Sequence, residues 1–566
     1  MGNSTLMPKS FCRVLVFVLK IHWLIKVMHF RRRFFPRSVV STLDDASLLD
    51  RSTWHRTPVL KGVRLVNSYE NTSVGLDGAL PGPVLFGIST DGILVSGITE
   101  EFLKIASVFF KYGYKIYLDL GYDVRADKGD FFRPYANEAE LLPDWVSLAR
   151  IDGLATVSGY KQSLVKEILE LLPEGDLIEM EKHLGSDLPS RIAASIVSTW
   201  RRLGVSTVIV ENGTLPENVI FTRALYLAIE QYGDERRMEP YVLWRDHDVM
   251  WFSESSRYGN PPFNGIPKPP ASRYIRYATI TGAAREQLVR WAPHLDVAVV
   301  PNCFHFAETK VDDSNCGFRS HYRIPRNALL IARCTRVVPQ KRIDRDLYLL
   351  HALRRMIQSA AYSLPIYLFI TGCIDENKDE TRRLTGIARE LGIEDSIVYG
   401  NGLLPCIGPR SSIHDSGRRQ YSISDLLAHC DLSSFLTSYD YEGFGNPPAE
   451  ACAHMRPFIS STYELYDEVY GSKGFKSLLL PTSKGSDGMP GPSYARDVLN
   501  LLFDEDRRQQ WAQFNFRLGK IYFSMESLER RLRQYLPGAL ESRQRYPVVA
   551  GGPHSTDIES ASGRFA

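Results

Sequence analysis

The sequence predicts an α/β protein built on two doubly wound parallel sheets. Apolar runs of strand length alternate with longer amphipathic segments, a rhythm typical of buried parallel strands joined by helices. This alternation of strand and helix segments is interrupted near residues 303–326 and then resumes. At 566 residues, 44% of them hydrophobic, the chain is also too long for one ordinary core. We therefore expect two Rossmann-like domains with a cleft between them.

The first half contains strand-length runs separated by helical or loop segments. The segment 100–113 between the first two runs has a helical pattern, and 253–274 is rich in Pro, Gly and Ser, which predicts a long surface loop. The predicted strands lie at 83–89, 115–121, 206–213, 241–248 and 296–302.

The second half repeats the pattern. Its predicted strands lie at 327–334, 365–372, 396–402 and 431–438, with helices near 344–361, 379–391 and 422–429 and a helical region at 494–536. The predicted organisation is a leader at 1–40, a first domain at 60–302, a second domain at 303–500, C-terminal helices at 501–540 and a disordered tail at 548–566.

The leader differs from the rest in charge. Residues 1–40 carry eight Lys or Arg and no Asp or Glu, so the remaining chain is net negative, which excludes a basic nucleic-acid-binding body. An apolar run at 11–30 has about the length of a membrane span, but charged or titratable residues interrupt it. A signal anchor, a membrane-surface or transit segment and an unfolded leader all stay open. We expect a cytoplasmic protein, with peripheral or anchored membrane association through residues 11–37 as the open alternative.

Two familiar site types are missing from the sequence. The eight cysteines are scattered without zinc-like spacing, which suits free thiols in a reducing compartment. No GxGxxG follows a predicted first strand, so dehydrogenase chemistry is disfavoured.

The stretch YEGFGNPPAEA at 441–451 directly follows the predicted strand 431–438. Ligands of open α/β sheets bind at this carboxyl edge. Its glycines permit tight backbone geometry, Pro447 and Pro448 suit the first turn of a helix, and Asn446 is a predicted N-cap. The helix start would bind an anion, while Glu442 and Glu450 would accept bonds from ligand hydroxyls. The alternative is that Glu450 only stabilises the helix start and Glu442 is solvated.

A second motif, CTRVVPQKRID, follows the strand 327–334. Arg336 and Lys341 therefore leave the same carboxyl edge and together could neutralise a pyrophosphate. A solvated basic loop is the alternative.

These motifs resemble those of the retaining family 4 glycosyltransferases, which have the GT-B fold. E-GFGNPPA-E looks like their Glu, seven residues, Glu motif, and RVVPQK looks like their R-x-x-P-x-K phosphate loop. PNCFHF at 301–306 is similar to their PNG-V-D segment, with Cys303 in place of glycine. The resemblance implies two Rossmann-like domains facing each other across a donor-binding cleft, with the acceptor on the first domain and the donor on the second.

The resemblance also implies roles for individual residues. Arg336 and Lys341 would bind the diphosphate of a donor such as UDP-glucose or GDP-mannose, and Glu450 would bind its ribose. Glu442 would contact the transferred hexose, and His247 would lie near the reacting sugar. The backbone of the loop would cradle sugar and phosphate at Gly443, Phe444 and Gly445.

The reaction implied is transfer of a hexose to a hydroxyl acceptor with retention of configuration, without a metal or other cofactor. The loop after the first strand faces the expected cleft, where its hydroxyls and glycines would bind the acceptor or merely shape a turn. The acceptor-side candidates are Ser89, Thr90, Gly92, Ser96 and Gly97.

Two other functions stay open. Asp246-His247-Asp248 has the Asp-x-Asp spacing of metal-dependent glycosyltransferases, and Asp344-Arg345-Asp346 is a weaker candidate of the same kind. A non-catalytic nucleotide-sugar-binding protein is the second alternative, although the intact pairs of glutamates and basic residues argue against it.

Overall fold

A computed structural model of the chain describes residues 82–89, 97–120, 142–175, 177–237, 239–249, 251, 254–360, 364–401, 403, 421–486 and 488–541. The leader and the tail lie outside these residues, as do Thr90, Gly92 and Ser96. Among the helices that the structure describes, none is long and apolar enough to cross a bilayer.

The first half forms a seven-stranded parallel sheet in the order β3-β2-β1-β4-β5-β6-β7. Its strands are β1 (Val84–Ser89), β2 (Lys115–Leu120), β3 (Val146–Leu148), β4 (Val205–Glu211), β5 (Val242–Asp246), β6 (Ile275–Thr279) and β7 (Val297–Val299). Its helices are α1 (Gly97–Lys111), α2 (Gln162–Leu171), α3 (Leu177–Leu184), α4 (Leu188–Leu203), α5 (Val219–Arg236), α6 (Ser255–Tyr258) and α7 (Gly282–Trp291).

The second half forms a six-stranded parallel sheet in the order β10-β9-β8-β11-β12-β13. Its strands are β8 (Leu329–Arg333), β9 (Ile366–Ile370), β10 (Ile397–Tyr399), β11 (Leu432–Phe435), β12 (Phe458–Ser461) and β13 (Leu478–Leu480). The helices are α8 (Phe318–His321), α9 (Ile343–Ser359), α10 (Lys378–Glu390), α11 (Ile423–His429), α12 (Asn446–Ala453), α13 (Pro492–Phe503), α14 (Glu505–Phe523) and α15 (Met525–Tyr535).

Every strand predicted from the sequence is present, because each lies in an apolar run flanked by turn residues. Four strands were missed: β3, β6, β12 and β13, which have only three to five residues each. Polar residues interrupt β3, β6 and β12, and β13 has only three residues, so none of the four forms a clear apolar run of strand length.

The prediction of a surface loop at 253–274 is wrong in its described part, 254–274. This segment begins with the short helix α6 and buries Tyr258, Phe263, Ile266 and Tyr274 in the core of the first half. Its Pro and Gly content correctly indicates irregular backbone, but its large apolar side chains cover the helices beside the sheet.

The C-terminal helices divide between the two halves. Residues Val498 and Leu501 of α13 lie in the core of the second sheet, whereas Leu528 and Leu532 of α15 pack with the α1 side chains of the first. The Tyr112 hydroxyl also donates to Glu529 at 2.5 Å. The chain therefore returns to the first half after completing the second.

Candidate functional site

The carboxyl edge of the second sheet carries both predicted motifs. After β8, the chain makes a 3-10 turn at Pro339–Lys341 and enters α9. After β11, it passes through Glu442 and enters α12. The two motifs meet directly, because Lys341 Nζ lies 2.5 Å from Glu442 Oε2 and both side chains are mostly buried.

Buried Arg333 at the end of β8 fixes the Lys341 turn. Its guanidinium donates to the Ser434 carbonyl at 3.1 Å and to the Lys341 carbonyl, and its Nε lies 3.3 Å from Asp346 Oδ2. Asp346 is thus a structural partner of an arginine, and Asp344 likewise pairs with Arg342. Neither carboxylate of the weaker Asp-x-Asp candidate is arranged as a metal ligand.

Arg336 lies on the same loop as Lys341, but the two side chains pair with different carboxylates. Its side chain is 60% exposed and pairs with Glu376, whose Oε1 accepts from Arg336 Nε at 2.5 Å. The backbone of this loop is packed tightly, since a Cβ on Gly372 would come within 2.7 Å of Val337 N.

The loop before α12 differs from the prediction by one residue. Gly445 occupies the N-cap position with φ of 84°, and Asn446 is the first helical residue. The prediction that Asn446 is the N-cap is therefore wrong; its Oδ1 instead accepts from Asn302 Nδ2 at 2.8 Å. Pro447 and Pro448 lie in the first turn of the helix, as predicted.

The predicted cradle residues lie together at the start of α12. Phe444 is buried against Tyr470 and Phe523, while Gly443 is partly exposed. A Cβ on Gly443 would lie 3.6 Å from the carbonyl oxygen of His247, which follows β5 of the first sheet. The ends of β5 and β11 therefore face each other across a narrow gap.

His247 is buried and held by residues at the carboxyl end of β4. Its Nε2 lies 2.6 Å from Glu211 Oε2, and its backbone N–H donates to Asn212 Oδ1 at 2.6 Å. The adjacent Asp246 accepts from the Thr214 backbone N–H at 3.2 Å, and burial raises its pKa to about 7. Asp246 is thus a buried structural acceptor, and the part of the chain that the structure describes contains no group of three or more metal-ligating side chains.

A buried polar network, which sequence reasoning missed, connects the two halves behind this gap. Arg245 contacts Glu211 at 3.6 Å and Glu101 at 3.4 Å, and donates to Asn302 Oδ1 at 2.8 Å. Asn302 then donates to Asn446 of α12. One sequence signal could have indicated this network: Glu211 and Asn212 are polar residues at the carboxyl end of an otherwise apolar strand.

Glu450 faces this network from the second half. It is 7% exposed, and its charged neighbours are Glu100, Glu101 and Lys104 of α1, with Lys104 Nζ 2.5 Å from Glu101 Oε1. Burial is the largest cause that raises the Glu450 pKa to about 7. The nearness of α1 to Glu450 was not predicted.

On the acceptor side, only Ser89 and Gly97 are described. Ser89 ends β1 with a buried hydroxyl, and Gly97 begins α1 with open space where a Cβ would be. Because Thr90, Gly92 and Ser96 lie outside the described residues, the acceptor loop stays a prediction.

Comparisons with known proteins agree on the fold. No family model matches the chain. It is 22% identical over 322 residues to the mannosylglucosylglycerate synthase of Thermotoga maritima, covering 53% of this chain and 71% of the synthase. A glycosyltransferase from Rickettsia africae superimposes with a TM-score of 0.51 and 11% identity, over 81% of this chain and 100% of its own. Anabaena HepE in complex with UDP gives 0.50 and 13%, over 80% and 98%. The chain therefore has the GT-B fold, which confirms the predicted fold class.

Proposed function

We propose that this protein is a hexosyltransferase of the retaining family 4 type, which moves a hexose from a nucleotide sugar to a hydroxyl acceptor. The GT-B fold and the similarity to a synthase that makes a mannosyl compound support a glycosyltransferase. The UDP-bound state of a structural neighbour supports a nucleotide-sugar donor. Retention, independence of metals and other cofactors, and the residue roles below are our proposals.

The observation that carries the proposal is the meeting of Lys341 and Glu442 opposite the backbone of His247. An ammonium and a carboxylate side by side suit a ligand that is anionic at one end and rich in hydroxyls at the other. An ammonium has three donors, so Lys341 can bind Glu442 and a phosphate oxygen at once.

In this proposal Lys341 and Arg336 bind the diphosphate and stabilise the charge that develops on it as the anomeric bond breaks. Exposed Arg336 would exchange Glu376 for phosphate, because a guanidinium holds either anion bidentately. With both cations neutralising the leaving group, no divalent ion is required for that role.

The glutamates and the histidine complete the site. Glu442 would accept bonds from hexose hydroxyls, Glu450 would bind the ribose, and His247 would lie beside the reacting sugar on the first half. The leaving phosphate would take the acceptor proton on the same face of the sugar, so the product keeps the anomeric configuration of the donor.

The test is product analysis with UDP-glucose, GDP-mannose and related donors, with sugar and glycerate acceptors, in EDTA. We expect a hexosylated product whose anomeric configuration, read by NMR, matches that of the donor. Lys341→Met should lower turnover by about 10²- to 10³-fold, and the exposed Lys484→Met should not.

Each alternative has its own signature in this experiment. An inverted anomer would exclude the retaining reaction, and activity that EDTA abolishes and Mg²⁺ restores would favour the metal-dependent alternative. Nucleotide binding without turnover of any donor would favour a non-catalytic binding protein.

A further inference from the structure

Two buried tyrosines lie beneath the loop that precedes α12. The Tyr463 hydroxyl donates to the Phe444 carbonyl at 2.6 Å, and the Tyr470 hydroxyl donates to the Gly445 carbonyl at 2.6 Å. Both tyrosines are at most 2% exposed. Two consecutive peptide groups of the loop are therefore fixed from the protein interior.

Fixing these carbonyls also fixes the following N–H groups. In a trans peptide, the carbonyl of one residue and the N–H of the next point in opposite directions. Because the Phe444 and Gly445 carbonyls point at the tyrosines, the N–H groups of Gly445 and Asn446 point away from them. These adjacent donors form a small concave anion-binding arrangement of backbone N–H groups.

The start of α12 supplies few other donors. Pro447 and Pro448 have no N–H, and the Ala449 N–H lies beside the Tyr470 hydroxyl. An ordinary helix leaves four N–H groups without partners at its start. An anion bound at this helix start would therefore rely on the loop peptides, so their orientation would matter more than in an ordinary helix.

The aromatic surroundings hold both tyrosines in place. The Tyr463 ring contacts Phe435 and Tyr466 edge-on, at 5.7 Å in each case, and the Tyr470 ring packs on Phe444 and Phe475. Gly445 fits against this surface because a Cβ there would overlap the Tyr463 hydroxyl. The hydroxyls can therefore move little without moving the whole cluster.

We propose that Tyr463 and Tyr470 are positioning residues, which hold the N–H groups of Gly445 and Asn446 toward the diphosphate of the donor. This inference rests on the proposed function. It adds two residues that support the donor site without touching the substrate. The hydroxyls act through the backbone, so their removal should affect phosphate binding and leave nucleoside binding unchanged.

The test compares Tyr463→Phe and Tyr470→Phe with Tyr466→Phe. Tyr466 is a matched control, because it is buried in the same aromatic cluster and its ring contacts both Tyr463 and Tyr470. UDP, GDP and ADP are first titrated into the unaltered protein by calorimetry. The tightest binder and its nucleoside are then measured with each variant, along with the unfolding midpoint.

We expect each of the first two variants to bind the nucleoside diphosphate roughly threefold to tenfold more weakly. Nucleoside affinity should stay unchanged, and Tyr466→Phe should bind both as the unaltered protein does. Diphosphate affinities equal to that of Tyr466→Phe, or a parallel loss of nucleoside affinity, would overturn the inference while leaving the proposed function intact. An unaltered protein that binds none of the three diphosphates would overturn both.

Discussion

The two facing edges of the sheets hold their functional groups by different means. At the edge of the second sheet, aromatic rings and tyrosine hydroxyls fix the backbone of residues 444–446, while the Lys341–Glu442 pair remains partly open. At the edge of the first sheet, His247 is held by buried charges around Glu211 and Arg245. The first edge thus holds its histidine by buried charges, whereas the second holds the loop before α12 by packing and backbone geometry.

This difference has a physical basis in what each edge is proposed to bind. A backbone that donates to phosphate must be rigid yet uncharged, and buried aromatic rings provide such support. A side chain that meets the sugar must keep one orientation, which a buried carboxylate provides by accepting its ring N–H. Substitutions at the two edges should therefore differ in effect.

Glu211→Gln should have the largest effect on stability. It removes the charge that faces His247 at 2.6 Å and Arg245 at 3.6 Å inside the protein, and leaves a buried guanidinium undercompensated. We expect the free energy of unfolding to fall by about 3 kcal/mol, measured by urea denaturation.

The control for this variant is Glu235→Gln, which breaks an exposed pair with Arg201. Exposed pairs are worth about 1 kcal/mol or less, so this variant should change stability little. Equal losses in the two variants would contradict an electrostatic role for the first edge.

Gly445→Ala should have the next largest effect, now at the second edge. Alanine would be strained at φ of 84°, and its methyl group would overlap the Tyr463 hydroxyl. We expect destabilisation of about 2 kcal/mol and at least about tenfold weaker nucleoside diphosphate binding. Calorimetry and urea denaturation measure these changes.

Gly485→Ala is a matched control, because Gly485 also has a positive φ of 76° but has open space around its Cβ position. It should show only the strain, with unchanged ligand affinity. If Gly445→Ala behaves in the same way, the close packing of the loop on Tyr463 has no role in binding.

The smallest expected effect is the pH dependence contributed by Glu450 at the boundary of the two halves. Burial raises its pKa from 4.5 to about 7, so between these values the folded protein keeps a proton that the unfolded chain releases. Its contribution to stability is therefore largest below pH 4.5 and decreases as the pH rises toward 7.

Glu450→Gln is neutral at every pH and should lack this decrease. We expect its stability relative to the unaltered protein to rise by roughly 1 kcal/mol per pH unit between pH 5 and 7, measured by urea denaturation. The exposed Glu464→Gln should show no such trend. A flat difference for Glu450→Gln would mean that Glu450 is ionised and well solvated in the folded protein.

The sequence was sufficient to predict that both motifs lie at one edge of one sheet. Motifs that follow buried apolar runs must lie at the carboxyl ends of parallel strands, and these ends share an edge. Lys341 and Glu442 are 101 residues apart, and their positions after β8 and β11 place them at that same edge, where the structure shows them in direct contact.

The supporting residues could not be predicted in the same way. Arg245 lies 144 residues from Glu101 and 57 from Asn302, and no local pattern indicates which buried charges will pair. In the sequence, Tyr463 and Tyr470 cannot be distinguished from ordinary core residues. Their hydrogen bonds to the loop are apparent only in the folded structure. The cap of α12 was misplaced because Asn and Gly are both common at helix starts.

The most direct test of the proposed donor site is a crystal structure of this protein with its tightest-binding nucleoside diphosphate. We predict that phosphate oxygens lie within hydrogen-bond distance of Lys341 Nζ and of the N–H groups of Gly445 and Asn446, with Arg336 released from Glu376. A diphosphate bound away from the carboxyl edge of the second sheet, with the Lys341–Glu442 pair untouched, would contradict the account.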